Sequence, residues 1–401
     1  MNIEKYFDMV DVEEIYKTIL DLEGPKFPLD NFDKLDKAAS YIIEKLESYN
    51  IKTEVQEFYL EGFEKPFKNV LGYIGDQSKP AVLLGSHYDT VRFSPGANDN
   101  LSAVAVSLEM ARILSKIDNP PTVIVAVFTL EEGHPTKNKR VKEVLQKDGW
   151  LDQKGRFTSS KIYHFNKLLN KMLMKKWKEE KLRAFESLEI VLKENENIFD
   201  DVEKSYIETL IPVFKGFKKL SVTDKLSSSL VGSSLYVEKV LKEKIDIKYI
   251  INYDCLGWIN NNEGTQKLLP ISEEMRPFLQ LHKTTLESTV GNYIGIMGER
   301  NSKNILDTFM NHCSMPEIDI PHLGLYLPID FKTIHESIGD VLRSDHAPFW
   351  EAGIKGLFIS DTANFRSPHY HTGGDTYDRI DYNMLAKITT ASLRTIIDLD
   401  L

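Results

Sequence analysis

The sequence predicts an α/β sandwich, an open and largely parallel sheet with helices on both faces, carrying a helical insertion. Two continuous apolar runs, AVLLGSHYD from Ala81 and TVIVAVFTLEE from Thr122, have the length and β-branched content of interior strands. A helix-spaced stretch lies between them. The third observation is the lysine-rich segment from Pro135 to Leu230, where apolar residues again recur at helical spacing.

Each element follows in turn. Leu35, Ala38, Ala39, Ile42, Ile43 and Leu46 stand three and four residues apart, the pattern of a helix with one buried face. After Asn50, IKTEVQEFYL alternates between apolar and polar residues, and NVLGYIG follows a short break, so the two read as neighbouring strands. LSAVAVSLEMARILSK, from Leu101, has the small and apolar residues of a packed helix. Ala81 to Glu132 therefore reads strand, loop, helix, strand, a βαβ unit whose strands run parallel. KYIINYDCLGW adds a further apolar run. Polar residues close each run, and open α/β sheets gather such strand ends at one crevice.

Composition narrows the function. With 401 residues and 42% hydrophobic content the chain can bury a full core. A net charge of −10 argues against nucleic acid, whose phosphates call for a basic surface. Cys255 and Cys313 are far apart and in no metal-binding spacing, so neither a disulfide framework nor a cysteine zinc site is expected. The acidic, amphipathic start and the lack of an apolar run of roughly 18 residues point away from a leader or a membrane partner, and to the cytoplasm.

Chemistry gathers where the apolar runs end. His87 closes the first strand, Asp99 stands in PGANDN directly ahead of the helix, and Glu131 and Glu132 close the second strand. Asp254 follows the run KYIINY, and SPHYHTGGDT supplies His369 and His371. Imidazole and carboxylate are the ligands a borderline cation such as zinc takes when thiolates are absent. Any one of these residues alone would read as a cap or turn residue. Four clusters, each ending an apolar run, favour a hydrolytic metal site.

The segments SHYDTV, PGANDNLSAVA, FTLEEG, LVGSSLYVE, INYDCLG, SDHAPFWEAGI and PHYHTGGDTYDRI occur in the order found in metallopeptidase family M28, which the chain resembles over about residues 35–134 and 231–401. That family holds the co-catalytic zinc aminopeptidases, with carboxypeptidases and glutaminyl cyclases beside them. The resemblance implies a three-layer αβα sandwich with a mixed, mostly parallel central sheet. It also implies two zinc ions per chain, replaceable by cobalt or manganese. His87 and Asp254 would hold one ion, Glu132 and His371 the other, and Asp99 would bridge both. Glu131 would be the general base, and Tyr370 would hydrogen-bond the oxyanion. Asp345, His346 and His369 would stand behind the ligands. Adjacent Glu131 and Glu132 on an extended backbone point to opposite sides, one to metal and one to water. Asp89 is placed to accept the second N–H of His87.

The family pattern breaks at the insertion. Residues 1–134 and 231–401 form the expected catalytic domain, and 135–230 a helical subdomain acting as lid or dimer contact. Thr136 to Leu230 holds 21 Lys and Arg against 14 Asp and Glu, a net of +7 that leaves −17 to the rest. The expected activity is removal of single residues from short peptides, most often from the amino end. A glutaminyl cyclase-like acyltransferase and a carboxypeptidase are the alternatives on the same scaffold. A binding protein on a decayed peptidase fold fits less well, since ligands and base are all present.

Overall fold

The computed structural model describes residues 4–180, 184–215 and 229–400. Contacts divide the chain into two compact units: Met1–Tyr59, Lys65–Gly133 and Ser221–Leu401 form the first, Leu60–Glu64 and His134–Leu220 the second.

Unit 1 is built on one sheet. Its strands are Lys52–Phe58 (β1), Phe67–Ile74 (β2), Ala81–His87 (β3), Val123–Phe128 (β4), Ile247–Tyr253 (β5), Leu279–His282 (β6), Ile294–Glu299 (β7), His322–Leu327 (β8) and Gly356–Ser360 (β9). Their order is β1-β2-β4-β3-β5-β9-β7-β8-β6. Pairing is parallel through the centre, β4-β3-β5-β9, and again between β7 and β8; the other neighbours are antiparallel. Every residue of β3 and β4 is buried, as their continuous apolar sequence requires of strands covered on both faces. β1, at the edge, keeps its alternating polar residues partly exposed.

The first helices of unit 1 are Glu4–Phe7 (α1), Val12–Leu22 (α2), Phe32–Ser48 (α3) and Ser102–Leu114 (α4). Unit 2 contributes Pro135–Lys147 (α5), Ser160–Glu180 (α6), Ala184–Glu194 (α7) and Asp201–Lys215 (α8). Val231–Glu243 (α9), Lys303–Cys313 (α10), Phe331–Ile338 (α11), His346–Glu351 (α12) and Tyr382–Asp400 (α13) complete unit 1. α9 and α12 pack together, setting Tyr236, Val240 and Phe349 against Leu83, Ala126, Phe128 and Ile250 of the sheet. α2, α4, α10 and α13 pack as a second group, with α4 against β3. The result is a three-layer αβα sandwich in which β3, α4 and β4 form the βαβ unit. No helix among the described residues is long and apolar enough to cross a membrane.

Unit 2 has its own core. Leu145, Phe165, Leu169, Leu188 and Ile207 are buried together, and Trp150 packs edge-on against Tyr206 at 5.5 Å. The loop Leu60–Glu64 belongs to this unit, which its sequence did not suggest. Thr136 Oγ1 donates to the Glu61 carbonyl at 2.8 Å, and Arg140 reaches the Glu61 carboxylate at 2.5 Å. The helical pattern expected through residues 181–183 and 216–220 lies outside the described residues.

Candidate metal centre

Four parallel neighbours, β4, β3, β5 and β9, end at one edge of the sheet. His87 is the last residue of β3, Asp254 follows β5 directly, and Asp361 follows β9. Glu131 and Glu132 lie beyond β4, Asp99 ahead of α4, and His371 between β9 and α13. β3 pairs with β4 on one side and β5 on the other, the reversal at which open α/β sheets form a crevice.

Asp99 stands between the two imidazoles. Its Oδ1 is 3.4 Å from His87 Nε2, and its Oδ2 is 3.1 Å from His371 Nε2. His87 Nε2 also lies 3.9 Å from both Glu131 Oε2 and Asp254 Oδ1, and His371 Nε2 lies 3.1 Å from Glu132 Oε2. Two trios converge, His87 with Glu131 and Asp254, and Asp99 with Glu132 and His371. Yet neither Nε2, nor Glu132 Oε1, makes an aligned hydrogen bond, although all three atoms are buried. Their lone pairs face common points rather than one another. Donors about 2.0–2.1 Å from a tetrahedral cation stand roughly 3.3 Å apart, so these separations fit a divalent cation. Cys255 groups with Asp99 and Asp254 as well. Sequence spacing had set the cysteines aside, because it does not register a residue that a strand end carries to the cluster.

The supports differ from expectation at three points. β4 ends at Phe128, so Glu131 and Glu132 sit on a bend rather than on extended strand, after Leu130 at φ +58°. Leu230, Val231 and Gly232 donate their N–H groups to the carbonyls of Glu131, Leu130 and Thr129. A Cβ on Gly232 would lie 2.2 Å from the Thr129 oxygen, so glycine alone permits this approach. Second, the Asp89 carboxylate accepts the N–H of Glu131 at 3.1 Å and of Glu132 at 3.2 Å. His87 Nδ1 instead meets the Asp89 main-chain oxygen at 3.3 Å, with Asp89 Oδ1 at 3.5 Å. Two outward N–H groups on the bend draw the carboxylate away from the imidazole. Third, α4 begins only at Ser102, and Asp99 is fixed by side chains instead. Asp375 accepts the N–H of Asn98 at 2.8 Å and of Asp99 at 3.1 Å. The Asn100 amide joins the Tyr253 carbonyl to the Cys255 N–H.

Charge is unbalanced toward the carboxylates. Burial, reinforced by Glu132, Asp254 and Asp345 against the pull of His87, pushes Glu131 well above the usual carboxylate range. Burial and Asp99 push Glu132 up to about 7. Against its burial, the adjacent imidazoles of His371 and His87 hold Asp99 well below its ordinary value. Burial opposes the charging of both imidazoles, but Glu131 and the neighbouring carboxylates Asp254, Asp89 and Asp99 raise His87 well above the usual range, and Glu132 and Asp99 raise His371 to about 10. Without a cation the cluster retains protons, which a divalent ion would replace.

Tyr370 stacks on His371 with ring centroids 3.8 Å apart, and its Oη accepts from Arg343 Nη2 at 3.2 Å. Asp345 is fully buried and acts on His87, Asp89 and Asp254 by charge. His346 belongs to the core, stacked on Phe358 at 4.3 Å with Nε2 donating to the Val341 carbonyl at 2.7 Å. His369 is half-buried and lies beside Gly374. Sequence reasoning passed over Arg343, Asp361 and Asp375. Asp361, whose Oδ2 accepts from Asn98 at 2.9 Å and Trp258 N–H at 2.9 Å, carries the same signal as Asp254, an acid closing an apolar run.

The family model for peptidase family M28 matches residues 69–299 and 326–396. The protein YfbL of Escherichia coli (strain K12) is 22% identical over 387 residues, covering 94% of this chain and 84% of YfbL. Among solved structures, the LapA aminopeptidase of Legionella pneumophila superposes with a TM-score of 0.56 at 14% identity, covering 99% of this chain and 74% of that one. A glutaminyl cyclase of Porphyromonas gingivalis gives 0.54 at 14% identity, over 98% and 99%. The two structures share the fold; the family match covers most of the chain and takes in the cluster from His87 to His371. The chain belongs to peptidase family M28, hydrolases acting on peptide bonds.

Proposed function

We propose that the protein is a two-zinc aminopeptidase acting on short peptides. The observation that carries this reading is Asp99, whose two oxygens face two separate imidazoles at 3.4 Å and 3.1 Å. A carboxylate so placed suits a bridge between two cations, with His87 and Asp254 on one side and Glu132 and His371 on the other. Zinc ions held there supply Lewis acidity, lowering the pKa of a water molecule and drawing charge from the scissile carbonyl.

The chain's own groups take the remaining parts. Glu131 accepts the proton of the attacking water and returns it to the leaving amine. Asp89 holds the bend so that Glu131 and Glu132 keep their separate directions. Tyr370 accepts a hydrogen bond from Arg343, which leaves its own O–H free to donate to the oxyanion. Placement in the cytoplasm is supported by the free state of Cys255 and Cys313. Similarity to the Legionella aminopeptidase favours the amino end.

Metal analysis after zinc loading tests the reading, together with assay of unblocked and acylated dipeptides and of peptides with amino-terminal glutamine. Two tightly held ions and release of the first residue are expected. One ion at most, or ammonia from glutaminyl peptides without peptide cleavage, would sink it in favour of the cyclase alternative.

A further inference from the structure

Ahead of the residues matched by the family model, the segment Leu22–Lys26 ends on a lysine with 1% of its surface exposed. An ammonium is seldom buried so completely. Its Nζ donates to three main-chain carbonyls, those of Leu22 at 3.2 Å, Gly24 at 2.7 Å and Pro95 at 3.2 Å. A lysine has three N–H groups, and each has an acceptor. Pro95 lies on the loop that runs from β3 to Asp99. The Lys26 main-chain N–H donates to Thr90 Oγ1 at 2.9 Å, and the Gly24 N–H to the Pro95 carbonyl at 3.0 Å. Glu23 accepts the N–H of Tyr377 at 2.8 Å, on the loop that follows His371. Three residues of this segment, Glu23, Gly24 and Lys26, thus hold both loops.

The ammonium charge has its own partners. Asp375, Asp89 and Glu23 are the acids that act on it, against a burial that brings it down to about 7. Asp89 carries the amides of Glu131 and Glu132, and Asp375 those of Asn98 and Asp99. Both carboxylates stand behind a cluster that is itself acidic. A buried cation offsets that repulsion, and a neutral amine would leave one of the three carbonyls without a donor.

We infer that Lys26 is a positioning residue for the metal centre, tying the Thr90–Pro95 loop in place and balancing Asp89 and Asp375, so that Asp99 and the Glu131–Glu132 bend keep their spacing. The inference rests on the two-zinc reading. Lys26→Met keeps an unbranched side chain, one atom shorter, and removes donors and charge. Zinc affinity is measured by competition with a chromophoric chelator, well below the melting temperature, with kcat and KM for a dipeptide and the melting temperature of the metal-free protein. The variant is expected to bind zinc about 10- to 100-fold more weakly, with kcat reduced and KM little changed. A variant that melts earlier but binds zinc and turns over like the unaltered protein has lost only structure, and overturns the inference. Should Lys26→Met not fold, Thr90→Val removes one acceptor of the same clasp; weaker zinc binding supports the inference and unchanged binding overturns it. If the unaltered protein takes up no zinc, the two-zinc reading falls and the inference with it. If the unaltered protein and the variant bind equally, the inference falls alone.

Discussion

Asp89→Asn isolates the part played by the bend. Asp89 is 1% exposed, so water cannot replace what the substitution removes. The carboxylate offers one oxygen to the Glu131 N–H at 3.1 Å and the other to the Glu132 N–H at 3.2 Å. An asparagine keeps one oxygen and turns an NH2 toward the second amide, setting donor against donor. A hydrogen bond to a charged acceptor contributes about 1.5–3 kcal/mol, and a buried unpaired N–H costs about 1–3 kcal/mol. These overlap rather than add, so the metal-free protein should lose about 3 kcal/mol. The bend then relaxes, and zinc affinity should fall about 10- to 100-fold, as for other residues that orient ligands. Urea unfolding of the metal-free protein and competitive zinc titration read the two effects separately. A loss below about 1 kcal/mol with unchanged zinc affinity would refute the reasoning, because the amides would then have found another acceptor.

Four further outcomes follow from the same geometry. Glu131→Gln should retain zinc and lose about 10²- to 10⁴-fold in kcat, since an amide cannot take the water's proton; near-normal turnover would remove Glu131 as the base. Zinc at about 100 times its Kd should stabilise the protein by about 2.7 kcal/mol per site, and a melting temperature indifferent to zinc would contradict binding to the folded state. His346 is held down to about 3 by burial, so the unfolded chain, at about 6.5, takes its proton first. Stability from this group is present above pH 6.5 and lost as pH falls toward 3, at about 1.4 kcal/mol per unit. Between pH 6.5 and 4.5 His346→Phe should therefore lose about 2 kcal/mol less than the unaltered protein, and parallel urea midpoints would refute this. Replacing Lys137–Ser229 by a Gly and Ser linker should change peptide-length preference or oligomeric state, measured by cleavage of a peptide ladder and by sedimentation; if neither changes, the insertion is neither lid nor dimer contact.

Much of the fold was legible because its central strands are buried on both faces. AVLLG and VIVAVF contain no polar side chain, and a sheet covered by helices is the arrangement that satisfies them. The alternation of KTEVQEF marked β1 as a strand with one face less buried than the other, while its place at the edge came only with the sheet order. The loop Leu60–Glu64 was not legible. Its attachment to unit 2 depends on the carbonyl of Glu61 meeting Thr136, a contact across 75 positions that local pattern cannot signal.

The cluster was legible for a different reason. An acid or imidazole that ends an apolar run is carried to the sheet edge wherever its strand pairs, so His87 and Asp254 could be read one by one and still converge. That signal locates an edge, not an atom. Asp361 follows GLFIS as Asp254 follows IKYIINY, yet β9 lies one strand further from β3, and the Asp361 carboxylate accepts from the Asn98 amide and the Trp258 N–H. Period and strand-end chemistry cannot separate the two; sheet order can. Lys26 escaped altogether, since LEGPKF holds neither an apolar run nor a spacing, and a surface turn is the ordinary reading of such a sequence. What makes it different is the meeting of Leu22, Gly24 and Pro95 carbonyls around one ammonium. Two of those acceptors are local and the third is 69 residues away. The distant one matters most to the inference, because of the three carbonyls it alone lies on the loop that leads to Asp99.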